Sequence, residues 1–204
     1  MKLDVRQITA LQDAESLMFH SDFCPYLELK KLLSEKSASA HGRFRTLFTT
    51  FYGLNVGGLT EEFKDRYFEI LFAGDFLRNG QPDFASILNE LSDIPRRTGD
   101  RAMPFSFVSK LVAIHHEESP IYDRHVLAFF KSKAPAASEK KADRIQWFVQ
   151  FLKQVRTDYG AWARDARISP VLETLKARDP LLAACHNVRL VDFLVWKAGN
   201  QKLL

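Results

Sequence analysis

Two residues in the middle of the chain, Lys110 and Asp123, have side chains suited to chemistry on a sugar. Each belongs to a segment with helical apolar patterning, and a short polar turn separates the two segments. A desolvated, uncharged lysine amine can attack a sugar carbon and form a Schiff base. An ionised, partly buried carboxylate can stabilise positive charge that develops on a sugar, or orient a nucleophile.

Both side chains also have ordinary structural explanations. Asp123 follows Pro120-Ile121-Tyr122 and precedes an apolar helical pattern, where a carboxylate caps a helix by accepting backbone amides. Lys110 lies beside the apolar stripe of its own helix, where a lysine is commonly solvated. Capping and catalysis are compatible for Asp123, because a cap fixes the position of the carboxylate. The sequence leaves both interpretations open.

Basic side chains flank the lysine and the aspartate in sequence. Arg96, Arg97 and Arg101 lie in a polar loop before the first helix, and Arg124, Lys131 and Lys133 follow the aspartate. If the two helices form a hairpin, these cations would bind DNA phosphates on either side of an extruded nucleotide. A solvated basic surface is the alternative. Tyr122 could stack on a base, although a core-edge aromatic is the simpler interpretation.

Apolar residues recur with helical periodicity along most of the chain. The spacing i, i+3, i+4, i+7 fits Phe84, Ile87, Leu88 and Leu91, for example. The segment 188–198 is apolar almost all round, so we predict a central buried helix there. No segment alternates for long enough to predict a strand. The sequence therefore predicts an all-α fold of about eight or nine helices.

The length of 204 residues allows one all-helical domain, 1–204, with a substantial core. The small, polar, proline-containing segment 131–141 is the clearest candidate for a flexible loop between two subdomains. A hydrophobic content of 46% with 26% charged residues is typical of soluble globular proteins. The net charge of +4 permits contact with phosphates without requiring it.

Neither the cysteines nor the histidines form a pattern typical of a cofactor site. Cys24 and Cys185 are too few for a disulfide framework or a cysteine-ligated cluster, and we expect free thiols in a reducing cytoplasm. The run His115-His116-Glu117-Glu118 lacks H-E-x-x-H spacing, so we expect His115 to pack in the core rather than bind a metal. A metal-dependent hydrolase is the remaining minor alternative. We predict no cofactor, membrane span or export signal.

The segment 106–126, SFVSK…PIYDRHV, resembles the helix-hairpin-helix region of the DNA glycosylase superfamily. In that superfamily a lysine is the nucleophile of bifunctional members, and an aspartate opens the next helix in nearly all active members. Lys110 and Asp123 match these two positions. The resemblance implies a DNA-binding protein that excises a flipped damaged base. Asp123 would stabilise the oxocarbenium-like sugar, and Lys110 would serve as nucleophile or phosphate contact.

Two features of this segment favour a second interpretation. The superfamily's hairpin turn is rich in glycine and its backbone amides bind a DNA phosphate, whereas residues 102–107 contain no glycine. Asp123 follows Lys110 by 13 positions, which is shorter than in typical members. With its late RLVDFLVW helix the chain is also similar to uncharacterised helical proteins distantly related to the superfamily. The alternative is therefore a non-catalytic helical relative that binds nucleic acid or another protein.

Overall fold

The computed structural model describes residues 2–35, 37–55, 58–78 and 81–203. Within these residues the chain forms eleven helices and one short antiparallel hairpin, which confirms the all-α prediction. The elements, in chain order, are α1 (Val5–Ser16), α2 (His20–Glu35), α3 (Ala38–Phe51), α4 (Glu61–Ala73), β1 (Leu77–Arg78), β2 (Gln81–Pro82), α5 (Phe84–Ser92), α6 (Phe105–His115), α7 (Arg124–Phe129), α8 (Lys141–Trp162), α9 (Ser169–Arg178), α10 (Pro180–Ala183) and α11 (Asn187–Asn200). None of these helices has the length and apolar composition needed to cross a membrane.

Two helices, α7 and α10, are only six and four residues long. Helices of one turn or slightly more do not complete an apolar stripe, so periodicity does not reveal them. The sequence nevertheless predicts α7 from its cap at Asp123, so the helices missing from the predicted eight or nine are α10 and α1, for which no apolar stripe is predicted.

The chain divides into two compact units. The middle unit comprises Cys24–His115, and the terminal unit comprises Met1–Phe23 with His116–Leu204. The chain passes from one unit to the other within α2 and again directly after α6. The segment 131–141, proposed from sequence as a loop between subdomains, lies in the terminal unit and joins α7 to α8.

Helix α11 is the central helix of the terminal unit, where it packs against α1, α7, α8 and α9. From Val188 to Ala198 every side chain except Trp196 is buried, which confirms the predicted central helix. Three of the buried side chains, Arg189, Asp192 and Lys197, are charged. Because burying an uncompensated charge is costly, each requires a partner inside the unit.

Helices α11 and α7 approach closely at Gly199. A Cβ atom added to Gly199 would lie 2.8 Å from the Cβ and 2.9 Å from the carbonyl oxygen of His125. Only a residue without a side chain fits between the two backbones there. Gly199 therefore sets the distance between the central helix and the helix that Asp123 begins.

Aromatic rings dominate the core of the middle unit. The rings of Phe44 and Phe48 on α3 are fully buried, and the ring centroid of Phe48 lies 5.8 Å from those of Tyr67 and Phe68 on α4. Helix α5 packs against α4 and α6, and the four residues of its predicted apolar stripe are all buried. The apolar pattern thus identified the core face of α5 correctly.

Candidate functional site

Asp123 is the N-cap of α7, as the sequence predicts. Its carboxylate oxygen Oδ1 accepts hydrogen bonds from the backbone amides of His125 at 2.8 Å and Val126 at 2.9 Å. None of the hydrogen bonds among the described residues uses the second oxygen, Oδ2, and the residue is partly exposed. The cap therefore fixes the carboxylate while occupying only one of its oxygens.

A buried ion pair on α11 holds the backbone that leads to Asp123. Arg189 and Asp192 form a salt bridge and are 0% and 3% exposed. Nη2 of Arg189 donates to the carbonyl oxygen of Ser119 at 2.7 Å. The amide of Ile121 donates to the two carboxylate oxygens of Asp192 at 3.2 and 3.3 Å. Both members of the pair thus bind the segment 119–121 immediately before the cap.

The ion pair belongs to a larger cluster of ionisable groups. Burial raises the pKa of Asp192 to about 6, although the charge of Arg189 and the amide of Ile121 oppose this shift. Burial, followed by the charges of Asp192 and Asp123, raises the pKa of Tyr159 well above its ordinary value. Two carboxylates, a phenol and a guanidinium are therefore close enough to influence one another's charge, which is a feature of functional sites.

Sequence reasoning missed three members of this cluster, Arg189, Asp192 and Tyr159. A signal was present for the first two, because an arginine and an aspartate at i, i+3 in an otherwise apolar helix predict a buried ion pair. Nothing in the sequence indicated that Ser119 and Ile121 are their backbone partners. For Tyr159 no sequence signal distinguished it from the other core aromatics.

Lys110 lies on α6, and its side chain is partly buried among aromatic residues of the middle unit. Its Nζ donates to the carbonyl oxygen of Tyr52 at 3.3 Å and lies 5.4 and 5.6 Å from the ring centroids of Tyr52 and Phe107. A carbonyl oxygen and aromatic faces are partners for a charged ammonium rather than for a nucleophilic amine. Asp123 belongs to the terminal unit, so a shared cleft with Lys110 stays a prediction.

The three arginines of the loop before α6 lie on the surface of the middle unit. Arg96 Nη1 is 3.8 Å from a carboxylate oxygen of Asp100, and Arg97 Nη2 is 3.8 Å from one of Glu61. Arg101 is exposed. Two of these three arginines therefore already face acidic neighbours.

The glycine-free stretch 102–107 forms the end of that loop and the first turn of α6. It lines a pocket of about 180 Å³ together with Phe63 and Arg96. Phe105 and Phe107 contribute aromatic side chains to the same pocket. The stretch that the resemblance would place at a glycine turn thus lines a pocket whose walls are mainly, though not wholly, apolar residues.

Tyr122 is only 8% exposed and belongs to an aromatic cluster of the terminal unit. Its ring packs edge-on against Trp147, Phe148 and Phe151, with centroids 6.2, 5.3 and 5.9 Å away. These contacts support the simpler interpretation as a core-edge aromatic, and its stacking on a base stays a prediction. Arg124 is exposed, and its Nε donates to Nε2 of His125 at 3.3 Å.

His115 is half-buried in the middle unit, so it is less deeply packed than the core position that the sequence predicts. Its Nε2 lies 2.8 Å from the carbonyl oxygen of Leu71, and its ring meets Phe76 edge-on. Among the described residues no group of three or more His, Cys, Asp or Glu side chains has the geometry to hold a metal ion. Cys24 and Cys185 are free thiols, which agrees with the prediction.

Glu117 and Glu118, the acidic end of the same run, bind the start of α11. Glu117 accepts a hydrogen bond from the His186 amide at 2.7 Å, and Glu118 pairs with Arg156 and His186. The hydrogen bond from Arg156 lowers the pKa of Glu118. These two carboxylates therefore already serve a structural purpose.

Comparison with protein-family models, with curated proteins and with solved structures gives no significant match to this chain.

Proposed function

We propose that the protein binds DNA and acts on a flipped damaged base in the manner of a base-excision glycosylase. The observation that carries this proposal is the geometry of Asp123, whose carboxylate is held by two amides through Oδ1 while Oδ2 is not engaged by them. A carboxylate that is already fixed needs no reorganisation when positive charge develops on the sugar. Asp123 is therefore assigned the stabilisation of the oxocarbenium-like sugar.

The surroundings of Asp123 support this role. The buried pair of Arg189 and Asp192 anchors the backbone two to four residues before it, and Gly199 sets the position of α7. Catalytic groups work best on rigid supports whose own partners are satisfied. The arginines Arg96, Arg97, Arg101 and Arg124 are assigned the binding of backbone phosphates.

The contacts of Lys110 favour base excision without a Schiff base. Its Nζ is bound by the carbonyl oxygen of Tyr52 and lies over two aromatic rings, so a nucleophilic amine would have to leave these partners. We therefore assign Lys110 a charged, positioning role, and the lyase activity implied by the superfamily is the less favoured variant of the proposal.

The test uses duplexes that carry uracil, 8-oxoguanine, an alkylated base or an abasic site, each with and without borohydride. We expect base release from one of them by the wild-type protein, without a trapped adduct. Asp123→Asn retains an oxygen that can cap α7 but removes the charge, and we expect release to fall by at least about 100-fold. Asp83→Asn changes a matched N-cap on α5 and should leave release unchanged.

Two outcomes would overturn the enzymatic proposal: no base release from any duplex, or release by Asp123→Asn at the wild-type rate. A borohydride-trapped adduct that disappears in Lys110→Met would instead restore the lysine as nucleophile.

A non-catalytic DNA-binding role is the second candidate. It is favoured by the pocket at 102–107, where a phosphate-binding glycine turn would lie in the superfamily. Salt-dependent binding of the same duplexes without base release, unaffected by Asp123→Asn, would support this role.

A further inference from the structure

The positive charge of the chain is concentrated in one segment. Residues 124–147, here called the α7–α8 segment, contain six basic residues and two acidic ones, a net charge of +4. The six basic residues are Arg124, Lys131, Lys133, Lys140, Lys141 and Arg144, and the two acidic residues are Glu139 and Asp143. Since the whole chain also has a net charge of +4, all other residues together are electrically balanced.

Several of these cations have no acidic partner. In the part of the chain that the structure describes, Arg124, Lys131, Lys133 and Lys140 form no salt bridge with a carboxylate and are exposed. The nearby carboxylate of Glu139 accepts a hydrogen bond from the amide of Ala136 at 2.8 Å. An exposed cluster of unneutralised cations attracts a polyanion such as a nucleic acid strand.

An aromatic side chain lies within this basic segment. Trp147 on α8 is partly exposed, and its ring stacks on Phe151 with centroids 5.3 Å apart and planes at 7°. Tyr122 supports it edge-on. These contacts hold the indole in one orientation while leaving part of it accessible. A rigid aromatic face of this kind can stack on any nucleobase.

Two of the cations lie at the same end of α8 as the indole. Arg144 and Trp147 stand at i and i+3 within α8, which places their side chains on one face, and Lys140 is the N-cap residue at the start of the helix. Asp143 stands three positions after Lys140 and four before Trp147, so the same spacing places its carboxylate at the edge of this face. This end of α8 thus combines an aromatic side chain with two cations and one carboxylate.

This end of α8 contacts the residue before Asp123 within the terminal unit. Tyr122, the direct neighbour of Asp123, contacts Trp147. Burial raises the pKa of Tyr122, the charge of Arg144 lowers it, and the charge of Asp123 raises it. Arg144 and Asp123 therefore both act on the same phenol, whose ring contacts Trp147.

We propose that Trp147, Lys140 and Arg144 form a binding site for unpaired nucleotides of a DNA strand. A base stacks on the indole of Trp147, and the adjoining phosphates bind to the two cations. The site deepens the proposed function, on which it rests for its partner, by identifying the surface that holds the strand next to Asp123. It involves none of the arginines of the loop before α6.

The first experiment measures tryptophan fluorescence during titration with a 12-residue oligothymidylate. The chain has three tryptophans, of which Trp162 is 2% exposed. We expect quenching in the wild type and in the control Trp196→Phe, and its loss in Trp147→Phe. Replacement of Trp147 by Leu should weaken binding of the labelled oligonucleotide by about 5- to 100-fold, as for other stacking residues. Circular dichroism verifies that each variant is folded.

The second experiment does not alter an aromatic contact. A plot of the logarithm of the binding constant against the logarithm of the salt concentration has a negative slope. The magnitude of this slope should decrease by about 1.4 for Lys140→Gln/Arg144→Gln, because each lost contact with a single-strand phosphate removes about 0.7. Arg43→Gln/Arg45→Gln removes the same charge from the middle unit, at two arginines that pair with Glu28 and Asp65, and should leave the slope unchanged. Equal slopes for the two double variants, unquenched fluorescence at saturation, or no binding would overturn the site.

The two proposals fail separately. Quenching through Trp147 without base release from any damaged duplex would support the nucleotide site and contradict the glycosylase proposal. Base release that is unaffected by Trp147→Leu would support the glycosylase proposal and contradict the nucleotide site.

Discussion

The two basic regions of the molecule differ in what their charges face. In the loop 93–104 of the middle unit, Arg96 and Arg97 lie 3.8 Å from carboxylates of Asp100 and Glu61. In the α7–α8 segment of the terminal unit, the four exposed cations named above form no described salt bridge. Both regions are rich in basic residues, but the second retains more positive charge that no carboxylate neutralises, and it therefore attracts a polyanion more strongly.

Lys110 and Asp123, the two residues proposed for chemistry, likewise differ in what their charged groups contact. Lys110 binds a carbonyl oxygen and two ring faces, so its amine is occupied by the fold. Asp123 uses one carboxylate oxygen for its cap, and buried charges hold the backbone before it. A residue type suited to catalysis is therefore informative only together with the contacts that its reactive atom makes.

The largest expected effect distinguishes the buried pair from an exposed one. Arg189→Met leaves the carboxylate of Asp192 buried without its counter-charge, and we expect the free energy of unfolding to fall by about 3–5 kcal/mol. Arg97→Met removes an exposed guanidinium 3.8 Å from Glu61 and should cost less than about 1 kcal/mol. Urea unfolding at pH 8 measures both values. Equal losses would show that the terminal unit does not depend on the pair.

The next effect concerns the close approach of α11 and α7. Gly199→Ala would force the new Cβ against the backbone of His125, and we expect the free energy of unfolding to fall by about 1–3 kcal/mol. Gly160→Ala is the matched control inside α8, because its Cβ would meet only Arg164 Nη1 at 3.9 Å. The free energy of unfolding of this control should rise by up to about 1 kcal/mol, because alanine has a higher helix propensity than glycine. A neutral Gly199→Ala would contradict the assigned spacing of the helices.

The pH dependence of stability tests the buried carboxylate. The folded pKa of Asp192 is about 6, above its ordinary value of 3.8, so the folded protein binds more protons than the unfolded chain between these pH values. Its contribution to stability is therefore present at low pH and is lost as the pH rises through 6, with a slope of at most about 1.4 kcal/mol per pH unit.

Comparison of the wild type with Asp192→Asn between pH 5 and 7 isolates this contribution. We expect the difference in unfolding free energy between the two proteins to change with pH in that range. A difference that is independent of pH would show that Asp192 stays ionised throughout, with the charge of Arg189 outweighing burial.

The smallest effect is expected for Lys110. Lys110→Met retains the aliphatic stem but removes the hydrogen bond to Tyr52 and the cation–π contacts. We expect the free energy of unfolding to fall by about 0.5–1.5 kcal/mol. Binding of the oligothymidylate should not change, because the residue lies outside the α7–α8 segment. Titration of this variant beside Lys140→Gln/Arg144→Gln makes the comparison direct, and weaker binding by Lys110→Met would assign it a phosphate contact.

Much of the fold was predictable because its signals are local. The apolar stripe of α5, the all-apolar α11 and the cap at Asp123 all follow from neighbours within four or seven positions along the chain. The four-residue helix α10 was not predicted because it completes no stripe. Asp123 is the part of the site that the sequence predicted, because the cap that it forms involves only neighbouring residues.

The sequence by itself determined the helical class, the core faces and the identity of the residues that could do chemistry, because these depend on periodicity and residue type. Only the tertiary structure decided their surroundings. Arg189 reaches Ser119 across 70 positions, and Lys110 reaches Tyr52 across 58. Partners so far apart meet only when packed helices bring them together, and these partners decide whether a charge supports the fold or remains available to a ligand.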